Sequence, residues 1–258
     1  MSAALHAEWT KLRTLPGTGW LLLGVVAATV IISATVSASM GCSSAAACHA
    51  DVTKLSLTGT YLGQAVVAIV AVLAVGGEYA TGMIRTTLAA TPRRTTLLAA
   101  KAGVVTAVTL VAGTLAVLGS LLAGRLILPG HGYTPANGYP VLSLANGTVL
   151  RAGAGTVLYL ALIALLSLGI AAVVRDAAVA IGAVLGLLYL FPIIAVVTDP
   201  HWRRHLEQIG PMTAGLEIQA STGLSTLPIS PWAGLGVLAA WAAAALLAGG
   251  LLPRLRDA

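Results

Sequence analysis

Apolar residues gather into six long runs along the chain, and the segments between them carry most of the polar and charged residues. The runs cover about residues 18–38, 57–76, 102–128, 149–174, 177–197 and 232–252. Each is close to the roughly 20 apolar residues that a helix needs to cross a bilayer. We therefore predict an all-α polytopic membrane protein in which residues 1–258 form a single transmembrane domain.

The composition of the chain excludes a soluble globular domain and leaves the spans without acidic residues. The chain is 58% hydrophobic and 9% charged, whereas soluble domains have about 25% charged residues. None of the six runs has an Asp or Glu in its interior. Because ion-driven transporters usually keep ionisable groups at membrane depth, any uphill transport by this chain would take its energy from another source.

Basic residues are divided unequally between the two sides of the predicted bundle. Five lie on one side: Lys54, Arg125, Arg151, Arg203 and Arg204. Nine lie on the side of the termini: Lys11, Arg13, Arg85, Arg93, Arg94, Lys101, Arg175, Arg254 and Arg256. Since cytoplasmic loops are rich in Lys and Arg, we predict cytoplasmic termini. We expect these basic residues to lie beside anionic lipid headgroups, and we expect no nucleic-acid partner.

The N-terminal segment has the pattern of an amphipathic helix. Leu5, Trp9 and Leu12 recur at helical spacing, which predicts a helix lying in the inner membrane surface. It is either a simple interfacial anchor or an elbow helix that also touches a cytoplasmic partner.

Residues 77–94 form a longer connection than a tight turn requires. We predict a short helix from Glu78 to Ala89, with Thr91 as the N-cap of a second helix and Pro92 in its first position. This second helix should continue through Lys101 into the third span. The connection is either a cytoplasmic docking surface or a segment whose arginines only satisfy the positive-inside rule.

Two cysteines and two histidines lie on the opposite side. Cys42 and Cys48 fall in the first outer loop, where an oxidising environment allows the disulfide that we predict. His201 and His205 stand four residues apart in the last outer segment. Neither group offers enough ligands for a convincing metal site, so we expect no metal.

Small residues inside the spans suggest close helix packing, and polar residues there are candidates for the lining of a translocation path. Gly59-x-x-x-Gly63 and Gly182-x-x-x-Gly186 allow close helix approach, either within the chain or at a subunit interface. We expect Pro192 to break the fifth span, and residues 215–218 to dip into the outer leaflet. Candidate path residues are Gln64, Thr106, Thr109, Ser167 and Tyr189. None is assigned to substrate, because hydroxyls in spans usually bond their own backbone.

Two segments carry a family resemblance. They read Glu8-Trp9-x-Lys11-Leu12-Arg13-Thr14 and Glu78-Tyr79-x-x-Gly82-x-x-Arg85, the latter followed by Pro92-Arg93-Arg94 and Lys101. With the six-span layout, these segments resemble the permease subunits of exporter-type ATP-binding-cassette (ABC) transporters, especially small actinobacterial permeases associated with drug or antibiotic export.

The resemblance implies a multi-pass permease of the bacterial plasma membrane that pairs with a cytoplasmic ABC ATPase and with a second permease copy or a related permease. It implies that the connection between spans two and three is a coupling helix against the ATPase. The contact residues carried over are Glu78, Tyr79, Gly82, Arg85, Pro92 and Arg93. It also implies that spans two and five border the subunit interface. The expected cargo is amphipathic or lipid-like.

No nucleotide site is visible in the chain itself. A phosphate-binding loop requires a Gly-Lys pair, and this sequence has none. We therefore expect no cofactor on this chain, no catalytic residue, and ATP with Mg²⁺ on the partner ATPase. The alternatives are a non-transporting sensor or assembly subunit and, with less support, an intramembrane enzyme, since no His, Asp, Glu or Cys lies inside a span.

Overall fold

The structure is a computed structural model that describes residue 10 and residues 16–42, 50–80 and 94–256, with backbone alone at 16–18, 78–80, 94–95 and 252–256. Its α-helices are α1 (Pro16–Ser39), α2 (Val52–Ser56), α3 (Thr60–Ala80), α4 (Arg94–Ile127), α5 (Gly147–Val174), α6 (Ala177–Val197), α7 (Pro200–Ile209), α8 (Pro211–Leu216) and α9 (Pro231–Arg256). Short 3-10 helices cover Leu128–His131, Pro135–Asn137 and Glu217–Gln219. These parts of the chain contain no strand.

Six of these helices, α1, α3, α4, α5, α6 and α9, are long and apolar enough to cross a membrane. The all-helical, six-span prediction is therefore confirmed. The predicted elbow segment, residues 3–13, lies outside the described residues apart from Thr10.

Two spans begin three or more residues away from their predicted starts. The second span begins at Thr60 instead of residue 57, because the preceding residues form the separate helix α2. The third span begins at Thr96 instead of residue 102. Its helix continues without a break from Arg94 through Lys101, as the sequence predicts.

The expected break at Pro192 is wrong, since α6 continues through Pro192 to Val197. Proline removes one backbone hydrogen bond from a helix, but neighbouring helices and hydroxyl side chains allow membrane helices to keep it. The ring of Phe191 packs edge-on against Trp241 of α9, with centroids 6.5 Å apart. The Thr198 hydroxyl donates to the Ile194 carbonyl over 2.6 Å.

The helix ends define two ends of the bundle. At the distal end α1 and α4 finish together, and the Cys42 amide donates to the His131 carbonyl over 2.8 Å. At the N-terminal end, where α1 begins, a Cβ on Gly76 of α3 would lie 2.7 Å from the Ala177 Cβ, so α3 ends where α6 begins. These contacts fix the up-and-down arrangement of the long helices.

Helix α5 lies at the centre of the bundle and packs against α3, α4, α6 and α9. Its residues Tyr159, Leu160 and Ile163 are fully buried. Gly169 faces the α9 backbone, where a Cβ would lie 2.6 Å from the Ala245 carbonyl carbon. Since lipid tails are as apolar as leucine, such close packing is a main source of helix association in a membrane.

The first small-residue motif packs within the chain. A Cβ on Gly59 would overlap the Thr29 carbonyl oxygen of α1, and one on Gly63 would overlap the Thr29 hydroxyl. The Gly59 amide also donates to the Ser33 hydroxyl over 3.0 Å. Gly59 and Gly63 therefore allow α3 to approach α1.

We expect Gly59→Ala to destabilise the protein by about 1–3 kcal/mol, because its methyl group would displace the α1 backbone. The measurement is thermal unfolding in detergent. The control is Gly24→Ala, which adds a methyl group in open space on α1 and should not lower the melting temperature. Equal melting temperatures for the two variants would contradict the packing described here.

Candidate functional site

A buried segment packs between the helices at the distal end of the bundle. We call residues 211–220, comprising α8 and the 3-10 helix Glu217–Gln219, the distal plug. Eight of its residues are buried: Pro211, Met212, Ala214, Gly215, Leu216, Ile218, Gln219 and Ala220. The plug contacts α5, α6 and α9. Residues 215–218, which the sequence predicts to dip into the outer leaflet, thus pack against other helices of the protein.

Glycines create the space that the distal plug fills. On α5, a Cβ on Gly155 would overlap the Ile218 side chain. On α9, a Cβ on Gly234 would overlap the Ala214 carbonyl oxygen. Gly215 of the plug lies against the Tyr159 ring, since a Cβ on Gly215 would be 2.6 Å from a carbon of that ring. A larger side chain at any of these positions would displace the plug.

A buried amide joins the distal plug to two spans. The Tyr159 hydroxyl of α5 donates to Gln64 Oε1 of α3. Gln64 Nε2 donates to Met212 Sδ of the plug over 3.1 Å and to the Tyr61 carbonyl over 3.2 Å. The side chains of Gln64 and Tyr159 have no solvent-exposed surface. A buried amide with these partners fixes the relative position of α3, α5 and the plug.

Of the predicted path residues, Gln64 and Tyr189 come together. The Tyr189 hydroxyl of α6 donates to the Tyr61 carbonyl, which also accepts from Gln64. Ser167 instead donates to the Ile163 carbonyl of its own helix over 2.7 Å. No bond joins Thr106 or Thr109 to this group among the described residues.

Asp51 fastens the distal plug to the segment after α1. Its Oδ1 caps α2 by accepting from the Thr53 and Lys54 amides, at 3.0 and 3.1 Å. The same carboxylate accepts from the Ser221 hydroxyl at 2.6 Å, the Ser221 amide and the Thr222 amide at 2.9 Å. One side chain thus bonds two segments that are 170 residues apart.

Two further contacts hold the same edge of the plug. Lys54 Nζ lies 3.3 Å from Glu217 Oε2, and the Arg151 guanidinium of α5 donates to the Ala220 carbonyl. We call the set Asp51, Lys54, Arg151, Glu217, Ala220, Ser221 and Thr222 the distal clamp. It ties the plug to α2 and to the start of α5.

The clamp hydrogen bonds control the charge of Asp51. Burial by itself would raise the pKa of its carboxyl group, but the hydrogen bonds from Ser221, Lys54 and Thr222 outweigh burial and hold the pKa below its ordinary value of 3.8. Because these bonds favour the ionised form, the clamp is formed at neutral pH and weakens when Asp51 is protonated.

Gln219 brings an unusual group into the plug. Its side chain is fully buried, and both its amide nitrogen and its amide oxygen lack a hydrogen-bond partner among the described residues. An unpaired buried polar group costs about 1–3 kcal/mol. The Gln219 amide therefore has a hydrogen-bond donor and an acceptor that are both free to bond if the plug moves.

The predicted coupling segment is described only at its borders. Glu78 and Tyr79 lie in the last turn of α3, while Gly82, Arg85, Pro92 and Arg93 lie outside the described residues. Just inside this segment, Lys101 of α4 is only 4% exposed, and its Nζ donates to the Ala74 carbonyl of α3 over 3.1 Å. The two helices that border the segment are thus bonded to each other.

Other predicted residues lie apart from the plug. Cys42 is disulfide-bonded, while Cys48 lies outside the described residues. His201 and His205 share one exposed face of α7, with ring centroids 4.9 Å apart. The described part of the chain contains no group of three His, Cys, Asp or Glu residues able to hold a metal ion.

Gly182 and Gly186 differ from the first glycine pair. Both are exposed on α6, and a Cβ built on either has no described atom within 4 Å. The part of the chain that the structure describes thus leaves this face of α6 uncovered.

No protein-family model and no curated protein matches this chain. Its helices define it as a multi-pass membrane protein with six spans, distinguished by the distal plug between them.

The sequence reasoning missed Asp51, Tyr159, Met212, Gln219 and Ser221. A local signal exists for Asp51, because Asp immediately before a helix is a preferred N-cap. For Tyr159, a single phenol in an apolar run indicates a buried hydroxyl that needs a partner. The other three have no local signal, since only the folded chain brings them to these partners.

We expect Asp51→Ala to destabilise the protein by about 2 kcal/mol, since it removes a helix cap and leaves plug amides unpaired. The control, Asp176→Ala, removes only the cap of α6, a 2.9 Å bond to the Val179 amide, and should cost about half as much. The measurement is thermal unfolding in detergent at about pH 7.

The same comparison at low pH tests the role of the carboxylate. A lowered pKa stabilises the fold above the ordinary value of 3.8, and this contribution is lost as the pH falls through the folded-state pKa. The difference in melting temperature between wild type and Asp51→Ala should therefore shrink below about pH 4. A difference that stays constant with pH would contradict the ionised clamp.

Proposed function

We propose that this chain is the membrane-spanning permease subunit of an ABC exporter. It would move an amphipathic or lipid-like cargo out of the cytoplasm, using ATP hydrolysed with Mg²⁺ by a separate cytoplasmic ATPase. The observation that carries the proposal is the bond from Lys101 Nζ to the Ala74 carbonyl. It joins α3 and α4, the two helices that flank residues 81–93, beside the segment that resembles a coupling helix.

Helix α3 supplies a route from that segment to the distal plug. Gln64, which bonds to Met212, lies 16 residues before the end of α3 at Ala80, or about 24 Å along the helix axis. If α3 moves as a rigid rod, a displacement at its C-terminal end, Ala80, would reach the plug through Gln64. The plug would then act as the outer gate of the path.

The chemistry around the plug suits the proposed cargo. Its buried side chains are mainly aliphatic, and its polar atoms are amides and phenols at Gln64, Gln219, Tyr159 and Tyr189. Such a lining accommodates amphipathic molecules and gives no strong site for a small ion. Opening would require release of the distal clamp, in which Asp51, Lys54, Glu217, Ser221 and Thr222 lie outside the spans and Arg151 lies in the first two turns of α5.

The proposal includes an orientation and partners. Both termini and residues 81–93 would face the cytoplasm of a bacterial plasma membrane, with the elbow helix near the ATPase. A second permease copy, or a related permease, would pack on the open face of α6 at Gly182 and Gly186, because small residues four apart allow close helix contact.

The test is purification of the tagged chain from its native host in mild detergent, with Arg85→Glu and a matched variant, Arg204→Glu. We expect wild type and Arg204→Glu to recover a protein that has a phosphate-binding loop and hydrolyses ATP. Arg85→Glu should lose it by at least tenfold, because charge reversal at a contact is repulsive. The mass of the complex gives the number of permease copies.

Recovery of the chain without an ATPase, under conditions that preserve other membrane complexes, would contradict the permease assignment. Equal recovery with Arg85→Glu would contradict the coupling contact.

A further inference from the structure

A groove at the distal end combines an apolar wall with an arginine at its mouth. Its cavity has a volume of about 220 Å³. Helix α4 contributes Leu118, Leu121, Leu122 and Arg125, the connection before α5 contributes Leu142, Ser143 and Leu144, and α5 contributes Val149. This groove is separate from the distal plug and from residues 81–93.

The groove runs along one face of α4 and ends at the guanidinium of Arg125. Leu118, Leu122 and Arg125 follow a helical i, i+4, i+7 spacing, which places them on one face. Leu118 and Leu122 are both exposed. Leu118 and Arg125 are seven residues apart in sequence, or about 10 Å along the helix axis. Arg125 and Leu118 thus lie at clearly different depths in the membrane.

The length of α4 places Arg125 at the membrane surface. Its 34 residues extend about 51 Å, whereas the hydrocarbon core is about 30 Å thick. Arg125 lies two residues before the end of the helix at Ile127, so its guanidinium reaches the headgroup level. Leu118 remains within the hydrocarbon region.

The charge of Arg125 is not balanced by the described part of the protein. Arg125 is exposed and makes no hydrogen bond or ion pair with the described residues. The distal carboxylates of Glu217 and Glu207 are already bonded to Lys54 and Arg203. A guanidinium fork matches the geometry of a phosphate.

We propose that this groove binds an anionic phospholipid, with its phosphate at Arg125 and one acyl chain against Leu118 and Leu122. A free phosphate would leave the leucine wall unoccupied, and a neutral lipid would leave the arginine without a counter-charge. The site does not depend on the proposed transport function.

The test uses the full chain in detergent, equilibrated with equal amounts of phosphatidylglycerol and phosphatidylcholine, with bound lipid counted by native mass spectrometry. We expect wild type to retain phosphatidylglycerol preferentially. Arg125→Gln should lower its retention about fivefold, since one arginine near an anionic surface contributes roughly 1 kcal/mol. Arg125→Lys should retain more than Arg125→Gln.

Two controls separate this site from general charge attraction. Arg204→Gln removes another exposed distal arginine, on α7, and should leave retention unchanged. Leu122→Trp, which narrows the groove and keeps the charge, should also lower retention. Excess inorganic phosphate should not displace the lipid.

Three results would overturn the proposal. They are unchanged retention in Arg125→Gln, an equal loss in Arg204→Gln, and equal retention of phosphatidylcholine by wild type. Displacement by inorganic phosphate would also overturn it, because the groove would then be an anion site without an acyl-chain contact.

Discussion

The side chain of Gln64 is the polar contact on which the rest of the bundle depends. In a membrane a buried polar group without a partner inside the protein is costly, because no lipid tail can supply a hydrogen bond. Gln64 meets this requirement by bonding to Tyr159 of α5 and Met212 of the plug. Since each partner lies on a different element, satisfying one amide fixes three elements at one level of the bundle.

The glycines and the distal clamp allow the plug to stay in contact with Gln64. Gly155 and Gly234 leave room for Ile218 and the Ala214 carbonyl, so the plug can reach Gln64 without displacing α5 or α9. Asp51 then fastens the outer edge of the plug to α2. The plug is held from inside by an uncharged amide and from outside by charged groups, which makes the outer contacts the ones that pH can change.

The fold was largely predictable because the spans depend on local hydropathy. The fifth span was predicted at its observed bounds because charged and polar residues stand on both sides, at Arg175-Asp176 and at Thr198-Asp199. The break expected at Pro192 was wrong because a membrane helix can tolerate the one backbone hydrogen bond that proline removes, and α6 continues to Val197. Helix α2 was missed, since five residues give too short a pattern.

The candidate site was less predictable because it consists of long-range pairs. Gln64 and Tyr189 were recognised as polar residues in apolar runs, but their shared Tyr61 carbonyl requires the packing of α3 on α6. Asp51 and Ser221 are 170 residues apart, and no local periodicity pairs them. Likewise, only the fold shows that Gly59 faces α1 while Gly182 faces no part of the described chain.

Hydrogen–deuterium exchange of the plug tests the central claim, namely that residues 211–220 are enclosed between the spans. We expect peptides from the plug to exchange as slowly as those from α5. They should be at least about a hundredfold slower than peptides from the exposed helix α7, because exchange from an enclosed segment requires it to open. Plug amides that exchange as fast as those of α7 would contradict the account.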